Sequence, residues 1–237
     1  MVPIWDENRG YRVPWVNYGL ILANILVFIY EITLDDKQLE SFINHYAAVP
    51  AKLTPIIGAV LHGQLNDVGL LLPLITAMFL HGGFLHIAGN MLYLWIFGDN
   101  VEDRMGPVGY LIFYLLCGVV SILAQTYLEP TSSIASLGAS GAIAGVLGAY
   151  IVKFPRAPVQ AIFPLGFIPI PFRIPAIWFI GFWFVQQALS SVAALSVRNV
   201  PHMDKGGVAY LAHAAGFIVG AVLVNVFARD GDPYNRY

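Results

Sequence analysis

Charge is what this sequence has least of. Only 11% of its 237 residues are Asp, Glu, Lys or Arg, where soluble domains carry about 25%. With 58% hydrophobic residues and a mean hydropathy of +0.70, that scarcity excludes a soluble globular domain. It points to a polytopic protein whose main partner is the lipid bilayer. Net charge is −2, so no nucleic-acid partner is expected. The single cysteine, Cys117, excludes an intrachain disulfide framework; it lies in an apolar run and reads as packing. Metal signatures are missing as well. No HExxH occurs, and His81 and His86 are five apart, a poor helical chelate. No metal or other cofactor is expected.

What is present is a series of apolar runs. A bilayer-spanning helix needs about 20 such residues. The runs are Trp15–Ile32, Phe84–Gly98, Val108–Leu128, Ser140–Val152, Ala176–Ser196 and Val208–Ala228, the second and fourth of them short. They predict six spans and an all-α bundle. Between the first two, Thr33–Gly83 holds only short apolar pieces, Pro55–Leu61 and Gly69–Leu80. These read as interfacial or re-entrant, with a seventh span within 55–80 as the alternative. Between the fourth and fifth, "KFPRAPVQAIFPLGFIPIPFRIP" contains six prolines, which exclude a regular helix and suggest an apolar loop along the interface. No small-residue cleavage site follows the first run, so it reads as a retained helix. One domain over residues 1–237 is expected, with 1–14 and 229–237 as cytoplasmic segments. Lys and Arg set that orientation. With the N-terminus inside, the inner segments hold Arg9, Arg12, Arg104, Lys153, Arg156, Arg173, Arg229 and Arg236. The outer ones hold Lys37, Lys52, Arg198 and Lys205.

Spans two, four and six then run in the same direction, each toward an inner charge: Asp99, Lys153 and Arg229. His86 lies 13 residues before the first, Ser140 13 before the second and His213 16 before the third. At ~1.5 Å per residue, these side chains sit about 20, 20 and 24 Å above the inner boundary. In a core ~30 Å thick that is roughly 6–10 Å below the outer surface. A helix that starts at Ser140 begins inside the membrane. The loop before it must be buried in protein or line a watery cavity.

A serine in a membrane helix commonly bonds to its own backbone or bridges helices, and an intramembrane histidine can be packed and satisfied. At one depth the two carry a chemistry. Hydrolysis by serine needs a base that takes the hydroxyl proton and returns it to the leaving amine, and imidazole does both near neutral pH. Small residues favour the approach: Gly141 and Gly145 lie four apart, and Gly216 and Gly220 share nearly the face of His213. Oxyanion donors are available in the Ser140 backbone N–H at a helix N-terminus. His86 and Asn90, four apart on one face, serve either as further donors or as interhelical hydrogen-bonding groups. Spans three to six contain no Asp or Glu, the acids at 99, 102 and 103 sit at the inner end, and Asp204 falls in a loop. A Ser–His dyad is favoured by elimination.

These motifs resemble the rhomboid intramembrane serine proteases over about Thr76 to Gly220. "GASGA" is similar to the family's GxSG nucleophile motif, with Ser140 as nucleophile. "AHAAGFIVG" resembles the last-core-helix motif, with His213 as base and Gly216 and Gly220 as packing glycines. "HGGFLHIAGN" resembles the second-helix motif, which implies an oxyanion role for His86 and Asn90. "FGDNVEDRMG" is similar to the turn that follows, with Glu102 and Gly106 in place. The resemblance implies a six-helix core with a membrane-embedded first loop and transmembrane or membrane-anchored protein substrates. Two departures stand out. Thr33–Gly83 has no Trp-Arg pair, and the position four after the serine, often an aromatic packed on the imidazole, is Ala144; Tyr210 and Phe217 are the aromatics nearest His213 in sequence.

Two rival functions keep the same scaffold. A catalytically inactive relative would bind transmembrane segments without cutting them, though no proline intrudes beside Ser140. A solute transporter would also use broken helices and midplane polar groups, but no inverted repeat is visible. The aromatic "IWFIGFWF" of span five suggests either a lateral gate or a lipid-facing surface.

Overall fold

The computed structural model describes residues 1–8, 10–64, 67–165, 168–196 and 208–228. Arg9, Arg198, His202, Asp204, Lys205 and the tail 229–237 with Arg229 and Arg236 lie outside them. The chain begins with β1 (Val2–Asp6) and α1 (Trp15–Glu31). It continues through α2 (Asp36–Tyr46), α3 (Pro50–Leu61) and α4 (Pro73–Thr76) to α5 (Phe84–Met105), α6 (Pro107–Leu128) and α7 (Ser140–Lys153). The strands β2 (Pro158–Leu165) and β3 (Ile168–Pro175) precede α8 (Ala176–Ser196) and α9 (Val208–Phe227).

Helix α7 is the axis. Every residue from Ala142 to Tyr150 is buried, so the helix is apolar all round and surrounded by others. It packs against α5, α6, α8 and α9. Two helices, α6 and Tyr210–Phe227 of α9, are long and apolar enough to cross a membrane among the described residues. A third span results if Val68–Phe79 and Phe84–Met105, bent by 84°, count as one. Helices α1, α3, α7 and the Ala176–Leu189 part of α8 are apolar but shorter. No helix within 55–80 reaches spanning length among the described residues. The stretch is broken into α3, two 3₁₀ turns and α4.

Polar side chains pin the ends of the bundle. The Glu102 carboxylate accepts from the Val16 and Asn17 backbone N–H groups at 3.1 and 2.7 Å, and so caps α1 where no intrahelical acceptor exists. Asn17 donates to the Leu94 carbonyl at 3.0 Å and accepts from the Tyr110 hydroxyl at 2.8 Å. Gly106, between α5 and α6, has φ +74°, a left-handed value that favours glycine. At the opposite end, Glu31 accepts from the His81 N–H at 3.2 and 3.3 Å and ties α1 to the turn before α5.

The all-α expectation is corrected at the proline-rich segment. It forms a three-stranded antiparallel sheet in the order β1-β2-β3. Proline fixes φ near −65° and lacks an N–H, which forbids a helix interior but not an extended strand whose donor is unused. Pro158 faces Pro175 and Pro164 faces Pro169, so the missing donors fall opposite one another. Val159 and Ala161 turn inward and are buried, the period of two a strand requires. The N-terminal segment, read as a cytoplasmic extension, is the third strand, with Val2 opposite Ile162 and Asp6 opposite Val159.

Asp6 anchors that strand to the bundle. Its carboxylate accepts from the Tyr150 hydroxyl and from Asn100 at 3.0 Å, and Glu7 pairs with Arg173 of β3. Burial, aided by the nearby Asp99 charge, pushes the Asp6 carboxyl up to about 7. A raised folded-state value means the folded protein holds a proton that the unfolded chain has released. This contribution to stability is therefore full below about pH 4 and is lost as pH rises toward about 7. The melting temperature of wild type relative to Asp6→Asn should fall across that window. A constant difference would show that Asp6 titrates normally.

Candidate active site

Ser140 is the first residue of α7, and the chain reaches it by an irregular path that other loops satisfy. Ala48 and Ser136 exchange backbone bonds at 3.1 and 2.7 Å, and the Gly138 N–H donates to the Ala77 carbonyl at 2.8 Å. Gly138 has φ +112°, a turn that brings the serine onto the helix start without a side chain in the way.

His213 reaches the serine from α9. Its Nε2 lies 2.7 Å from Ser140 Oγ. Ser121 of α6 donates to the carbonyl of Ala212, the residue before it, at 2.6 Å. Close helix approach makes the pairing possible. The Gly141 carbonyl lies against Gly216 and the Gly145 carbonyl against Gly220, so near that a Cβ on either α9 glycine would overlap the oxygen. The open faces of Gly141 and Gly145 meet Ser121 and Cys117 of α6 instead. One set of small residues thus brings three helices together.

His86 and Asn90 stand on the other side of the serine. A Cβ on Gly138 would come within 2.8 Å of His86 Nε2 and 3.6 Å of Asn90 Nδ2. The His86 Nδ1 accepts from the Gly82 N–H at 3.4 Å, which leaves Nε2 to carry the proton on the side of Gly138. Asn90 Nδ2 is buried without a hydrogen-bond partner among the described residues. A buried unpaired donor is costly, and this one abuts the loop that carries the serine. Ser140, His86 and His213 themselves are only half-buried. No group of three metal-binding side chains occurs among the described residues.

Three contributors are not visible in the motifs. Gln187 of α8 places Oε1 2.9 Å from His213 Nδ1. Trp183, one turn earlier, tilts toward the imidazole at 6.1 Å between centroids. It stands where the small Ala144 leaves the ring without an aromatic from α7. Phe217 packs on Trp183 and Phe184 rather than on the histidine. Among the described residues, Trp183 and not Tyr210 makes the ring contact with the imidazole. The third contributor, Ser121, holds the backbone. The aromatic run of α8 divides accordingly. Trp183 and Phe184 turn toward α9, whereas Ile177, Trp178 and Phe182 are exposed.

The rhomboid domain family matches residues 69–230, the stretch that contains α4 to α9 and with them His86, Asn90, Ser140, Gln187 and His213. The chain belongs to the rhomboid family. Members of that family are typically serine proteases. Similar proteins include RHOMBOID-like protein 6, mitochondrial, of Arabidopsis thaliana, 28% identical over 62% of this chain and 56% of that one. Rhomboid-like protein 11, chloroplastic, of the same plant is 29% identical over 63% and 50%. Rhomboid protein 1, mitochondrial, of Saccharomyces cerevisiae is 29% identical over 63% and 40%. The chain thus spans about half the length of the curated relatives it matches. With its apolar helices, the rhomboid domain makes this an integral membrane protein.

Proposed function

We propose that this rhomboid is an intramembrane serine endopeptidase that cleaves membrane-anchored proteins near the outer face. The observation that carries the reading is the 2.7 Å approach of His213 Nε2 to Ser140 Oγ. His213 takes the hydroxyl proton as Oγ attacks the scissile carbonyl. The tetrahedral oxyanion is received by the Ser140 N–H at the start of α7, by Asn90 Nδ2 and by His86 Nε2–H. Collapse releases the amine, which takes the proton from His213, and leaves an acyl-enzyme on Ser140. Water, deprotonated by the same imidazole, then hydrolyses the ester. The chain crosses the bilayer six times with both termini in the cytoplasm, the arrangement that the Lys and Arg distribution favours.

Oxyanion donors have a measurable share. His86→Ala and Asn90→Ala should each lower kcat by about 10²–10³-fold in cleavage of a membrane-anchored reporter by purified protein. Wild-type rates in both variants would make these residues structural.

The depth of the site fixes where a substrate is cut. Water reaches it from the outer side, through the space above the short α7. A substrate must also be extended there, because a helix holds its carbonyls in hydrogen bonds. Unwinding is easiest near a span's end and at Gly or Pro. The cut should fall in the outer part of a substrate's span, or just beyond it, at small residues near a helix breaker. Terminal sequencing of both fragments tests this, and a cut at the cytoplasmic end would overturn it.

A further inference from the structure

We infer that Gln187 is the third member of the site: a neutral positioning residue that sets the tautomer and orientation of His213 in place of the usual carboxylate. This role rests on Ser140 and His213 being a catalytic pair.

Geometry supplies the argument. Gln187 Oε1 lies 2.9 Å from His213 Nδ1, and His213 Nε2 lies 2.7 Å from Ser140 Oγ, so the imidazole bridges α8 and α7. An amide oxygen only accepts. Nδ1 must therefore carry the proton, and Nε2 presents its lone pair to the serine hydroxyl, which donates to it. The opposite tautomer would place N–H against the serine and disable the base. When His213 takes the proton during attack, Nδ1–H remains bonded to Oε1, and that bond strengthens as the ring becomes cationic. Trp183, four residues before Gln187 on the same face of α8, borders the ring. Together they give the imidazole a seat that α7, with Ala144, does not provide.

The apolar setting favours an amide over an acid. A carboxylate at this depth would be costly, whereas an amide fixes the tautomer without a net charge. Gln186 is exposed and Gln187 half-buried, so the two adjacent glutamines have different surroundings.

The test uses the full-length protein in detergent micelles with a membrane-anchored reporter. Gln187→Met keeps length and bulk but removes the amide acceptor. It should lower kcat by about 10–100-fold, a part of the ~10²–10⁴ that general acid–base catalysis contributes, with KM little changed. Gln187→Glu, ionised by the His213 imidazolium that forms beside it, only accepts, so it should recover most of the rate. Its charge should move the acid limb of the pH–rate profile upward by about one unit. In ¹⁵N-histidine-labelled protein, the ring-nitrogen shifts of His213 should show the Nδ1–H tautomer in wild type and a mixture in Gln187→Met. Wild-type kcat and tautomer in a folded Gln187→Met variant, or an unmoved acid limb in Gln187→Glu, would overturn the proposal. A wild-type protein that cleaves no reporter yet shows a Gln187-dependent tautomer would overturn the protease reading while keeping this placement of the imidazole.

Discussion

Ser140→Ala and His213→Ala should each reduce cleavage of a membrane-anchored reporter by about 10⁴-fold or more, and the double variant should be little worse than either. The reason lies in the shared proton. Without Nε2 2.7 Å from Oγ, the serine is an ordinary alcohol with no group to deprotonate it. Without Oγ, the imidazole has no nucleophile to activate. Ser140→Ala removes a single oxygen, and neither residue is fully buried, so melting temperatures should stay near that of wild type. Additive losses in the double variant would show that serine and histidine act independently. Normal cleavage by Ser140→Ala would remove the nucleophile from the mechanism.

The second large effect is expected far from any reacting atom. Gly220→Ala and Gly220→Val should cost both stability and activity, the valine more severely. A Cβ at 220 would overlap the carbonyl oxygen of Gly145 and come within 2.5 Å of its Cα. Backbone cannot rotate away as a side-chain tip can, so α9 must move off α7. Overpacking of this kind costs about 1–3 kcal/mol or more. Because His213 rides on α9 and Ser140 on α7, the displacement also opens the dyad. A misplacement of about 1 Å can cost 10²-fold in rate. Gly220→Ala should therefore show a lower melting temperature and a fall in kcat/KM of about 10²-fold. Gly181→Ala is the control, since nothing lies within 4 Å of its would-be Cβ. Equal behaviour of the two variants would mean that the α7–α9 contact is not limiting.

Much of this arrangement is legible in the sequence because it rests on residue types with few alternatives. Glycines four apart announce the close approach of α7 and α9, and a serine opening a helix too short to span announces a loop at depth. Counting back from Asp99, Lys153 and Arg229 puts His86, Ser140 and His213 at similar heights along their helices, and the structure brings their side chains around Gly138 and the start of α7. The sheet was harder to see. Six prolines exclude a helix, but the burial alternation lasts only through Val159 and Ala161. Phe163 and Leu165 continue the same face by period two yet are exposed, as is Ile168, so apolar character does not separate buried positions from exposed ones. A bilayer protein blurs the pattern that marks strands in water. Gln187 was hidden for a different reason. A search for an acid to complete a triad passes over an amide, and "WFVQQ" offers two adjacent glutamines whose surroundings depend on the helix rotation. Trp183 is one of several aromatics in the same run, and only the position of α9 distinguishes it from exposed Trp178. Ser121 acts on a backbone carbonyl of another helix, a contact with no sequence signature.

The most direct measurement is the site of covalent reaction with a fluorophosphonate probe. The full-length protein is labelled in detergent or reconstituted vesicles, digested, and the modified peptide sequenced by mass spectrometry. A hydroxyl activated by His213 should yield an adduct on Ser140, strongly diminished in His213→Ala and absent in Ser140→Ala. An adduct on another serine, such as Ser121 or Ser136, or labelling of Ser140 undiminished by loss of His213, would contradict the dyad.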